Sequence, residues 1–300
     1  MKMMRVVLIA LIPVTLAALW FFRLPALLLL VVSVASAVGS EALWQYVQKK
    51  PLKIKDLSAV VTGLLFGLGL SPSLPLYIAA IGAAFAIIVG KQLFGGYGKN
   101  IFNPAILGRL FIVLAFPGTM RPWLMPVDLT TAATPLQIFR AEGTMAPLLD
   151  LFTGLVPGSV GETSVLALLI GFAWLVYKNI ANWRIPAAIA AAVTAIAIIA
   201  GQDPLFHLFS GSLLLGALFM ATDPITAPRS QIGRWIFGAG IGVGIMLMRF
   251  YSPLPEGTSF AILGLNAAVP LINRYTMPKK KPTPAKPKAV QPTKEGGAQS

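Results

Sequence analysis

Ten apolar runs in succession constrain this chain more than any other feature. They lie at roughly 6–22, 24–40, 57–71, 75–94, 103–117, 164–178, 185–200, 205–221, 235–249 and 258–273. A chain with 56% hydrophobic residues, 11% charged residues and a mean hydropathy of +0.78 is too apolar for a water-soluble domain of this size. Inside a bilayer no water satisfies the backbone, so each run must close its own hydrogen bonds as a helix. The expected fold class is therefore an all-α polytopic membrane protein with about ten transmembrane helices. Several runs fall short of the roughly 20 residues that a straight span needs, which predicts tilted or interrupted helices. The first run is read as a retained helix, because Arg23 and Pro25 follow it without a small-residue cleavage site and a second run begins at once.

Charge sets the expected orientation. With ten spans and the N-terminus in the cytoplasm, twenty basic residues fall inside, including Lys2, Arg5, Lys49, Lys50, Lys53, Lys55, Lys91, Lys99, Arg109, Lys178, Arg184, Arg229, Arg234 and Arg274. Four fall outside: Arg23, Arg121, Arg140 and Arg249. That asymmetry follows the positive-inside rule and predicts a multi-pass protein of the cytoplasmic (inner) membrane with both termini cytoplasmic. The net charge of +14 is then an orientation signal. The basic residues are scattered over short loops between apolar runs, so nucleic acid is not an expected partner; the lipid bilayer is. The loop 118–163 is placed outside, where Asp128, Glu142, Asp150 and Glu162 outnumber its two arginines.

The chain also reads as two copies of one five-helix unit. Gly63 to Gly67 leading into Ser71, Pro72 and Pro75 resembles Gly211 to Gly216 leading into Asp223, Pro224 and Pro228, and Phe102 to Gly108 echoes Phe260 to Asn266. Five spans apart, the copies must point in opposite directions, as in many transporters. Helices broken at Pro72, Pro104, Pro224 and Pro270 would free backbone polar groups for a cofactor or ion.

Much chemistry is excluded. No cysteine is present, so the chain holds neither a cysteine-ligated iron–sulfur cluster nor a disulfide. The one histidine, His207, cannot supply a haem or zinc site alone, no metal site is expected, and a structural or interfacial role is favoured for it. The glycine-rich Gly95 to Lys99 lacks the Ser/Thr and the spacing of a phosphate-binding Walker sequence.

Three segments carry candidate function. Asp128-Leu-Thr-Thr131-Ala-Ala133-Thr134 is a hydroxyl-rich loop that reads either as an N-cap cluster or as an attachment sequence. Gly158-Ser159-Val-Gly161-Glu162-Thr163-Ser164 introduces the sixth run; its hydroxyls and amides suit a ribityl chain or a phosphate, and equally an ordinary capped helix start. Phe94 to Ala105 brings Lys99, Asn100, Asn103 and, just beyond, Arg109 to the inner face, as a ligand-binding group or a solvated loop. Asp223 sits at the inner end of an apolar run, where it lines an ion pathway or caps the next segment.

Together these segments resemble the D subunit of the Rnf electron-transport complex and the related B subunit of the sodium-pumping quinone reductase. The resemblance implies FMN joined through a phosphoester to Thr134, within a motif retained here as Asp128, Thr131, Ala133 and Thr134. Ala132 stands where that family usually has Gly, adding one methyl group. The resemblance further implies a membrane subunit passing electrons between ferredoxin and NAD, or another acceptor, coupled to Na⁺ or H⁺ transport, with no catalytic residue of its own. Implied partners are the A, B, C, E and G type subunits and a flavin transferase. Room is left for a second, non-covalent flavin, riboflavin, and for an ion or second-flavin pathway at Asn103 and Asp223. The competing class is a redox-free small-solute channel or transporter. The expected domain division is a transmembrane flavin-binding unit over 1–275 and a disordered, Lys/Pro-rich cytoplasmic tail over 276–300, which has too few large apolar side chains to fold.

Overall fold

A computed structural model describes residues 2–252 and 257–278, and among them the protein is helical apart from one short hairpin. Most of the expected tail lies outside the described residues. Helix α1 (Lys2–Val47) is two spans in one, with a non-helical residue, Arg23, at φ 47° and ψ −126°. Met4 and Glu41 would stand about 55 Å apart in a straight helix at 1.5 Å per residue. Yet Met4 and Val7 line the same small cavity as Lys91, and Lys91 donates to Glu41. The chain therefore folds back at Arg23 into arms 2–22 and 24–47.

Helix α2 (Ser58–Leu68) stops early, and an extended stretch through Ser71 and Pro72 leads to α3 (Leu76–Ile87), which continues as a π turn over Ile88–Gln92. Helix α4 (Pro104–Ala115) closes the first half. In the loop that follows, strands β1 (Trp123–Leu124) and β2 (Thr131–Ala132) pair antiparallel, and α5 (Pro135–Glu142) and α6 (Leu148–Thr153) are short. The second half runs α7 (Val165–Tyr177), α8 (Arg184–Ile199), α9 (Pro204–Phe209), α10 (Leu213–Leu215) with a π turn to Met220, α11 (Gln231–Tyr251) and α12 (Gly257–Thr276).

The two halves pack as inverted copies. Their first helices meet where Gly171 lies against Ala10; a methyl added at Gly171 would sit 2.2 Å from the Ala10 carbonyl. Their last helices meet where the Asn103 amide donates to Asn266 Oδ1 at 3.2 Å. The broken elements run oppositely. The end of α2 reaches the long loop, with Ser71 Oγ donating to the Pro122 carbonyl at 2.9 Å. The end of the α10 segment reaches the face that carries Lys91, where the Asn103 side chain donates to the Met220 carbonyl at 3.1 Å.

Two expectations need correction. The run 205–221 is not one helix: it breaks between α9 and α10, where Gly211 adopts φ 64°. Pro270 breaks nothing, since α12 passes through it. Pro104 starts a helix as its first residue, where its missing N–H costs no hydrogen bond. Outward-facing Trp20, Leu16, Leu114, Ile198 and Ile199 are exposed, as a lipid-facing belt requires.

Candidate functional site: a cavity beneath the long loop

The long loop is tied down at several points. The Val127 amide donates to the Phe21 carbonyl at 2.8 Å, fixing the hairpin tip on the first helical arm. Beyond the hairpin Thr134 is the N-cap of α5. Its hydroxyl accepts from the Gln137 amide at 3.3 Å, while the Gln137 side chain accepts from the Thr134 amide at 2.9 Å. This reciprocal box, followed by Pro135 at the first helical position, fixes where the helix starts.

The segment 158–164 is anchored differently. Val160 and Gly161 donate their amides to the carbonyls of Leu70 and Leu68 at 3.0 and 2.7 Å. These bonds satisfy carbonyls released where α2 stops, which lets a half-length helix end inside the protein. Gly161 must be glycine for this approach: an added methyl would lie 2.7 Å from Leu68 Cβ. The amides of Val160, Gly161 and Glu162 are thus engaged within the chain.

Between these two anchored segments lies a cavity of about 780 Å³. Thr134, Ser159, Glu162 and Thr163 all line it, so four of the candidate residues converge although they come from two segments of the loop. Asp128, Thr131 and Ala133 are exposed on the hairpin side, and Gly161 faces Leu68; none of these lines the cavity. Ala132 pairs with Trp123 in extended backbone, a conformation that does not require glycine.

Arginines dominate its charged lining. Arg109, Arg121, Arg140 and Arg249 contribute to it, against Glu162 as the one carboxylate among the described lining residues. Arg109 does not reach the inner face that its place in the chain predicts. It points instead to this cavity, buried, donating to Glu162 and, at 3.2 Å, to Ser159. The reason is its place on α4, where α2 has already ended and Gly69 leaves space beside the guanidinium. Arg249, near the end of α11, reaches the break between α9 and α10. It donates to the carbonyls of His207 at 2.5 Å and Ser210 at 2.7 Å, and to His207 Nδ1 at 3.3 Å. Because a guanidinium only donates, His207 Nδ1 is the acceptor, and its Nε2–H donates to Gln202 at 2.6 Å. His207 is thus neutral and fills the structural role expected of it.

Asn103 and Asp223 meet elsewhere, at a cavity of about 70 Å³ on the opposite face, with Lys91, Tyr97 and Asn100. Asn103 caps α4, accepting from the Ala105 amide at 3.0 Å. Asp223 accepts from the Ile225 amide and the Thr226 hydroxyl, both at 3.2 Å. Burial, with Asp223 and Asp56 nearby, raises the Tyr97 phenol above its ordinary pKa. Next to this cavity Glu41, Lys91, Gln92 and Ser58 form a buried polar network that sequence reading passes over. Its one signal is a glutamate directly after the 24–40 run, at helical spacing from Gln45.

Comparison with known proteins bears on most of the chain. Residues 1–281 match the model of the NQR2, RnfD, RnfE family. The chain is 44% identical to the D subunit of the Na(+)-translocating ferredoxin:NAD(+) oxidoreductase complex of Acetobacterium woodii, over 92% of this chain and 88% of the relative. It is 40% identical to the D subunit of the ion-translocating oxidoreductase complex of Stutzerimonas stutzeri, over 93% and 91%. It is 37% identical to the D subunit of the proton-translocating ferredoxin:NAD(+) oxidoreductase complex of Clostridium ljungdahlii, again over 93% and 91%. A ten-span fold with paired broken helices, matched over residues 1–281 and at these identities, leaves one conclusion: the chain belongs to the NQR2, RnfD, RnfE family, among its RnfD-type members.

Proposed function

We propose that the chain is the membrane-embedded D subunit of an Rnf-type ion-translocating oxidoreductase, and that it carries FMN on Thr134 in the cavity beneath the long loop. The observation that carries this reading is the convergence of Thr134, Ser159, Glu162 and Thr163 on one cavity. Its volume of about 780 Å³ falls in the roughly 300–1,000 Å³ that hold cofactor-sized molecules. The donor set fits the group as well: four arginines suit a phosphodiester and a ring that gains negative charge on reduction, while Phe139, Phe250 and Trp123 offer apolar faces. When bound, flavin supplies a carrier at which one-electron and two-electron steps meet.

The residues of this chain would bind and orient it. Thr134 offers its hydroxyl to the phosphoester, and Pro135 with the capping box keeps that hydroxyl at the cavity rim. Glu162 holds Arg109 in the wall, and the Arg249 network closes the far side. Asn103 and Asp223 line the small opposite cavity, whose volume of about 70 Å³ does not admit riboflavin as a second flavin, so we assign them to an ion path. The names of the relatives carry both Na⁺ and H⁺ as the ion moved and ferredoxin and NAD⁺ as the redox partners; we extend that class of reaction to this chain. Partners are then the other subunits of such a complex, a flavin transferase for maturation, and lipid. The orientation we infer puts the long loop on the outer side of the inner membrane and the lysine-bearing face in the cytoplasm.

A redox-free solute channel fits less well, because the two cavities share no lining residue among those described. In-gel flavin fluorescence after denaturing electrophoresis, on protein made with a flavin transferase, separates the two. A fluorescent band at the mass of this chain is expected; a dark band from transferase-competent cells would contradict the reading.

A further inference from the structure

Among the described residues, the cavity wall holds one half-buried cation without a carboxylate partner. Arg109 is paired with Glu162, and Arg121 and Arg140 are exposed, where solvent and salt screen them. Arg249 differs. It is half-buried, and its acceptors are two carbonyls and an imidazole nitrogen, all of them neutral; no carboxylate faces it among the described residues. Two of those acceptors are carbonyls left at the end of α9, where the helix breaks at Gly211, and such carbonyls carry partial negative charge. They hold the guanidinium in place while leaving its unit charge to act on whatever occupies the cavity.

A flavin ring entering this field changes charge on reduction. One electron from a low-potential donor, dithionite in a titration, turns the neutral oxidised ring into an anion unless a proton from water follows. A fixed cation at low dielectric favours that added charge, and favours it more than an exposed cation does. Resting on the flavin reading above, the geometry points to Arg249 as the residue that compensates the negative charge of the reduced ring, and so sets how readily the bound flavin accepts its first electron. Arg249 also has a structural duty as the cap of a broken helix. The two roles respond differently to substitution, which makes them separable.

The test uses the full chain produced with a flavin transferase, checked for covalent fluorescence, and then titrated potentiometrically with the flavin absorbance as readout. R249Q keeps donors for the carbonyls and drops the charge, whereas R249K keeps the charge and loses the planar fork. Charge compensation predicts at least a tenfold fall in the equilibrium constant for one-electron reduction in R249Q, about 59 mV at n = 1. It predicts R249K within threefold of the parent. Ser212 lines the same cavity and stands at the N-cap of α10, so the carboxylate of S212D should lower the constant in the same direction. S212D decides the matter if R249Q does not assemble. Unchanged potentials in fluorescent R249Q, or in fluorescent S212D when R249Q is not obtained, would overturn the role of Arg249 alone. A fall in R249K equal to that in R249Q would overturn it too, leaving only the cap. A parent chain without covalent fluorescence would refute the flavin reading itself, and the role of Arg249 with it.

Discussion

Arg109 and Glu162 show how little of a membrane site depends on a residue's position in the chain and how much on what is removed from around it. Both are buried, and each has the other as its charge partner. Removing one partner of such a pair strands a charge in low dielectric at a cost of about 3–5 kcal/mol, whereas removing both is far milder. Glu162→Gln and Arg109→Met should each lower the thermal midpoint of detergent-purified protein, measured by size-exclusion survival, and the double variant should recover most of the loss. Additive losses would mean that the two residues are not coupled. Ala132 makes a complementary case. Its extended backbone needs no glycine, so Ala132→Gly should leave the flavinylated fraction unchanged under limiting transferase, measured by in-gel fluorescence. At this scale the sequence identifies Thr134, Ser159, Glu162 and Thr163, because hydroxyls and a carboxylate are conspicuous in an apolar chain. It misdirects Arg109, since a guanidinium reaches several ångströms and its pairing depends on where α2 stops. Arg249, Arg140 and Arg121 do leave a trace. With Arg23 they are the four basic residues that run against the orientation bias, and three of those four line the cavity.

Broken helices are the elements that build both cavities. Where α2 ends, the carbonyls of Leu68 and Leu70 take amides from the 158–164 segment, and where α9 ends, Arg249 takes the carbonyls of His207 and Ser210. Each break is stable because a second element satisfies it, which is the condition for irregular backbone at membrane depth. Apolar runs predict nearly every span, since burial in lipid leaves helices as the only local solution. Breaks are legible at Pro72, Pro104 and Pro224. Pro270 misleads, because a proline late in a helix can be absorbed where neighbours re-satisfy the freed carbonyl. The break at Gly211 carries no proline, and its signal is only the small triplet Ser210-Gly211-Ser212, which an apolar-run reading passes over. Close approach of the first helices of the two halves depends on Gly171. Gly171→Val should destabilise the protein by roughly 1–3 kcal/mol through overpacking against Ala10, read as a lower thermal midpoint. A neutral result would argue that the two arms can separate freely.

As a whole molecule the protein is two inverted five-helix units, with a large arginine-lined cavity toward the long loop and a small polar one toward the lysine-bearing face. The charge asymmetry makes orientation testable in a chain without cysteine. In spheroplasts, Thr144→Cys should react with a membrane-impermeant maleimide and Gln48→Cys should be protected, both positions being exposed on the protein. Labelling of Gln48→Cys with protection of Thr144→Cys would invert the proposed orientation. Whether Thr134 carries FMN is nevertheless the decisive question. Peptide mass spectrometry of the full chain made with a flavin transferase should find the FMN mass increment on the peptide spanning the long loop, with fragment ions placing it on Thr134. Thr134→Val should remove the increment while Thr130 and Thr131 remain, and an increment that persists in Thr134→Val would contradict covalent attachment at this residue.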